Sequence, residues 1–105
     1  MSVVTTVILI ADDPDGEIVE RVNAFTGNSQ GSALGLKKID HDMSGGYKVP
    51  EVDTYFGAYN HFDVDGFEVF LEALRWPDPD LVVVIIHTGI GSEDLRVWRP
   101  NRVRA

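Results

Sequence analysis

The order of apolar and polar positions divides this chain into strand-like and helix-like stretches separated by clusters of glycine, proline and aspartate. Residues 3–11 (VVTTVILIA) are β-branched and apolar on both alternating faces, the pattern of a strand in the interior of a sheet. Asp12-Asp13-Pro14-Asp15-Gly16 breaks that run. Asp13 is expected to N-cap a helix with Pro14 at the first helical position, where a missing N–H costs nothing. Ile18, Val19, Val22 and Phe25 fall on one face of that helix, and Gly27 is expected to stop it. Residues 26–33 (TGNSQGSA) read as a connection, followed by a weaker strand near residues 33–40. Gly45-Gly46 and Pro50 make residues 41–51 the longest expected loop. Residues 52–62 are aromatic and alternating, as in a strand, with Gly57 marking a bulge or a close contact.

The second helix carries the clearest marks. Asp65 is expected to cap it, with Glu68 three residues on as its capping-box partner and Phe67, Phe70, Leu71 and Leu74 as the apolar stripe. Trp76-Pro77-Asp78-Pro79-Asp80 ends it, because a residue before proline avoids the helical region. Residues 81–86 (LVVVII) read as a fully buried strand and 88–94 (TGIGSED) as a turn. Residues 95–99 then complete an antiparallel hairpin. The order is β-α-β-β-α-β-β. Two helices on one face of a four- or five-stranded sheet bury both stripes. The expected fold is therefore α/β in the broad sense, an α+β two-layer sandwich, ferredoxin-like or related.

At 105 residues the chain fits one domain, residues 1–105, with a basic stretch at 100–105 expected to fray. Its 44% hydrophobic and 25% charged residues exclude a disordered tail. The absence of cysteine removes disulfides, thiolate metal sites and cysteine nucleophiles together, and points to a reducing, cytoplasmic compartment. Met1 is followed by Ser-Val-Val-Thr-Thr, without the basic region of a signal peptide. The longest apolar runs, residues 7–11 and 81–86, fall far short of the about 20 residues a membrane span needs, so no membrane association is expected.

Charge is unevenly placed. Seventeen acidic residues against nine basic ones give −8. All seventeen acids but only five bases lie in residues 1–95, a body of −12, while the last ten residues add Arg96, Arg99, Arg102 and Arg104. Such a body repels phosphate backbones, which disfavours nucleic acid and suits a basic protein. The arginines beside Trp98 are a combination that nucleic-acid grooves use, but they serve equally to neutralise the chain's own acids.

Two motifs come close to known chemistry. Asp63, Asp65, Gly66 and Glu72 match the third, fifth, sixth and twelfth positions of an EF-hand calcium loop. However, His61 replaces the first carboxylate, Glu68 stands where an apolar residue packs, and the preceding stretch reads as strand. A capped strand-to-helix turn is the expected structure, and no metal is assigned. The segment Ile8-Leu9-Ile10-Ala11-Asp12-Asp13 ahead of a helix resembles the opening of a response-regulator receiver domain. In that family the paired acids hold Mg²⁺ beside a phospho-acceptor aspartate. Here residues 81–86 lead into His87-Thr88-Gly89 with no aspartate, so the resemblance stops at two apolar strands.

Gly89-Ile90-Gly91 lacks the third glycine of a dinucleotide loop, and Glu93-Asp94 would repel a pyrophosphate. His41, His61 and His87 share no i, i+4 spacing, and Ser29, Ser44 and Ser92 lack a nucleophile-elbow pattern. No cofactor and no catalytic residue is assigned. Asp12 and Asp13 would meet His87 only if the strands carrying them were parallel neighbours; the ferredoxin-like arrangement places them antiparallel, at opposite ends.

The functional expectation is a small non-catalytic interaction domain of the inhibitor, immunity-protein or antitoxin type, bound to a basic protein partner. Candidate contacts are the acids Asp12, Asp13, Asp15, Asp40, Asp42, Asp63 and Asp65, with Tyr47, Tyr55 and Tyr59 as aromatic anchors. The alternatives are a ligand- or metal-binding regulatory domain, homodimeric through an exposed sheet edge, and a phage or accessory protein.

Overall fold

The computed structural model describes residues 4–26, 34–39, 45–46, 52–89 and 95–100. Five strands alternate with two helices: β1 (Val4–Ala11), α1 (Glu17–Val22), β2 (Lys37–Lys38), β3 (Asp53–Asn60), α2 (Val64–Ala73), β4 (Val83–Thr88) and β5 (Leu95–Trp98). A 3₁₀ turn at Pro79–Leu81 leads into β4. The strands form one sheet in the order β2-β3-β1-β4-β5, and every neighbouring pair is antiparallel. The expected two-layer α+β sandwich is the structure found, with the expected element order.

Register fixes the two faces. Directly opposed residues of an antiparallel ladder point the same way. Leu9 faces Tyr55 on one side and Val84 on the other, and Val84 faces Trp98. With Val7, Ala11 and Ile86 these residues build one wall of the core. Ile18 and Val22 of α1 and Phe67 and Leu71 of α2 build the other wall, so both helices cover the same face. Two tryptophans close one flank. The Trp98 indole donates to Glu72 Oε1 at 2.8 Å, and its ring lies 5.7 Å from that of Trp76.

Three local expectations change. The first helix begins at Glu17, not at Pro14, because residues 12–16 make a turn in which the Gly16 amide donates to the Asp13 carbonyl at 3.2 Å. Gly16 adopts φ 73°, a left-handed conformation that glycine takes without strain. The helix also ends at Val22, ahead of Gly27. The Asn23 side chain instead binds the next segment, accepting from the Leu36 amide at 2.8 Å. The second helix is capped by Asp63 and not by Asp65. Asp63 accepts from the Gly66 amide at 3.0 Å, while Asp65 sits inside the first turn.

The other change concerns β1 and β4, whose sequences read as apolar on both faces. Thr5, Val7, Leu9 and Ala11 are buried, as are Val84 and Ile86. The alternate residues Ile8, Ile10, Val83 and Ile85 are only half-buried. With both helices on one side, the second face of the sheet is left open among the described residues.

Candidate functional site

β1 delivers the chain to a corner where acids accumulate. Asp12 and Asp15 are exposed in the turn after β1, Glu17 opens α1, and Asp78 comes alongside from the turn that follows α2. Together with Pro14, Arg21 and Pro77 they line a shallow cleft of about 160 Å³. At about 30 Å³ per water molecule, that is room for one side chain and not for a drug-sized ligand. Arg21 is the single cation of this lining, and its guanidinium already donates to the Arg75 carbonyl at 3.3 Å. No described ion pair involves Asp12, Asp15, Glu17 or Asp78. The positive end of α1 eases this crowding slightly, since acids near a helix N-terminus are favoured.

Asp13 lies in the same cleft but does other work. It is 4% exposed. Its carboxylate accepts from the Ile18 amide at 2.9 Å, the Val19 amide at 3.0 Å and the Tyr55 hydroxyl at 3.0 Å. The Asp13 amide in turn donates to Asp53 Oδ2 at 2.9 Å, and Asp53 pairs with Lys38 at 2.9 Å. Asp13 therefore holds the corner together, with its oxygens turned away from any partner. Tyr55 is equally buried, and both desolvation and the neighbouring Asp13 carboxylate push its hydroxyl well above the ordinary tyrosine range. Tyr59 is half-buried, donates to the Leu34 carbonyl at 2.9 Å, and is raised by desolvation. Neither ring is an exposed anchor.

Asp63 and Asp65 stand elsewhere. Val4 pairs with Asn60 and Ala11 with Asp53, so the turn into α2 lies at the opposite end of β1 from Asp12. That separation is seven steps of strand, about 23 Å. Arg96 answers the acids at that end, at 3.1 Å from Glu68 and 3.6 Å from Asp65. Arg99 donates to the Asp80 carbonyl at 3.1 Å. These two arginines of the basic tail thus contact the chain's own body. Antiparallel pairing of β1 with β4 sets Thr6 opposite His87, which keeps His87 away from Asp12. Asp40, Asp42 and Tyr47 lie outside the described residues.

Of the predicted contacts, the structure brings together Asp12, Asp13 and Asp15. It adds Glu17, Asp53 and Asp78, which sequence reading missed. Glu17 belongs to the same acidic run and could have been counted with it. Asp78 reaches the corner only through the packing of α2, for which no local signal exists.

Among the described residues no three histidine, aspartate or glutamate side chains converge as a metal cluster would. No helix among them is long and apolar enough to cross a membrane. Comparison with known protein families, curated proteins and solved structures gives no match.

Proposed function

We propose that this chain is a small cytoplasmic interaction domain that neutralises or regulates a basic protein, in the manner of an inhibitor, immunity protein or antitoxin. The supporting observation is the contrast between its two acidic ends. At the start of α2 the acids are answered by Arg96. At the β1–α1 corner four exposed carboxylates converge on a cleft of side-chain size with one partly engaged arginine. A lysine or arginine from a partner fits that cleft, with the carboxylates as charge-assisted acceptors. The surrounding negative field speeds encounter with a basic surface, so association is fast and sensitive to salt.

The test is affinity capture from host extract with the tagged chain, followed by kinetics on the purified partner. The expected result is one stoichiometric basic protein whose association slows at least tenfold between about 50 and 500 mM salt. Asp15→Lys or Asp78→Lys should weaken binding, and Asp65→Lys should not. A partner insensitive to salt and to both corner reversals would overturn the reading, as would capture of nothing but the chain itself.

A further inference from the structure

The face of the sheet left open among the described residues carries an apolar row from β3 to β5. Pairing places Phe56 beside Ile8, Ile8 beside Ile85, and Ile85 beside Val97, with Lys37 completing the row on β2. Ile10 and Val83 form a second apolar pair next to it. Phe56 is 48% exposed, Leu95 51% and Val97 63%. Isolated exposed apolar residues need no explanation, but a continuous row across four strands does. β1 and β4 carry the sequence of strands covered on both sides, and the described residues cover one.

We infer that this face is the interface of a homodimer, in which two copies stack sheet on sheet. Three observations select a second copy as the occupant. The strand positions on this face include no aspartate or glutamate, although the chain carries −8 overall. Two copies that repel one another elsewhere can meet here without opposing acids, whereas a basic partner finds no counter-charge. The segments outside the described residues hold at most two apolar residues each, too few for an apolar stripe of their own. The area is that of a small interface. Strands of eight, two, eight, six and four residues about 4.8 Å apart give two stacked copies on the order of 900 Å² of face, near the lower limit of specific interfaces. Stacked sheets pack about 10 Å apart through interdigitating side chains, and the Phe56–Val97 row offers such relief.

The test is the solution mass of the full chain by sedimentation and light scattering, from sub-micromolar to about 100 µM protein. The expected result is twice 11.6 kDa, retained at high salt, where the acidic corner would lose its partner. Val97→Lys on the edge strand and Phe56→Lys on β3 should each weaken the dimer at least tenfold with an unchanged circular dichroism spectrum. Asp15→Lys should leave it intact. A mass of 11.6 kDa at every concentration would overturn the inference, and that outcome leaves the acidic-corner reading untouched. A dimer indifferent to both lysine variants would overturn it too, and would point to pairing through a sheet edge.

Discussion

Replacing Asp13 with alanine removes three hydrogen bonds at once, and their geometry sets the expected cost. Two of them satisfy the first amides of α1, and loss of a helix cap costs about 1 kcal/mol. The third leaves the Tyr55 hydroxyl without its acceptor inside the core, which costs about 1–3 kcal/mol. The sum is about 3 kcal/mol, a large share of the roughly 5–15 kcal/mol that stabilises a domain of this size. At about 4 °C per kcal/mol the melting temperature should fall by about 12 °C. Urea unfolding monitored by circular dichroism and tryptophan fluorescence measures both quantities. Tyr55→Phe sharpens the argument. Alone it should cost about 1 kcal/mol, but in the Asp13→Ala background it removes an already orphaned hydroxyl and should cost nothing or stabilise. The coupling between the two changes is therefore about 1–2 kcal/mol. An Asp13→Ala cost below about 1 kcal/mol, or strict additivity with Tyr55→Phe, would refute the structural role given to this carboxylate.

Three further outcomes follow from the same geometry. Gly57 is the close contact that the sequence suggested: a Cβ there would run into the Tyr59 ring and hydroxyl. Gly57→Ala should therefore displace the ring, break its bond to the Leu34 carbonyl and cost about 2 kcal/mol in denaturant titration. A Cβ on Gly66 would strike the Asp63 carboxylate, so Gly66→Ala sets a helix-propensity gain of about 1 kcal/mol against loss of the cap. It should be near neutral in the native sequence and stabilise by about 1 kcal/mol in an Asp63→Ala background, which thermal melts of the four proteins would show. Stability should fall as pH rises above 10.0, the ordinary tyrosine value. Tyr55 and Tyr59 are raised in the folded state, so the unfolded chain loses their protons first, and the loss continues up to the folded values. Unfolding free energies between about pH 8 and pH 11 measure this slope, and Tyr55→Phe should flatten it.

Much of the fold was legible along the chain. Runs apolar on both faces placed β1 and β4, aromatic alternation placed β3, each within a few residues, and the Phe67, Phe70, Leu71 and Leu74 stripe placed α2. The proline pair after Trp76 marked its end. Element order and helix stripes together implied the two-layer sandwich. Cap positions were less legible, because Asp12, Asp13 and Asp15, or Asp63 and Asp65, are chemically alike. Which of them caps depends on the turn that the backbone adopts, and glycine decided that at Gly16.

Sequence by itself determined the acidity of the body, the alternation of faces and the order of elements, all properties of neighbours along the chain. Tertiary structure decided which acids are spent and which are offered. Burial turned Asp13 into a strut, and β5 brought Arg96 onto Asp65 and Glu68. The packing of α2 carried Asp78 to a corner that the β1–α1 turn had already charged. It also decided that one face of the sheet is left open among the described residues. A strand's composition records that both sides want cover; only the placement of both helices shows which side they cover.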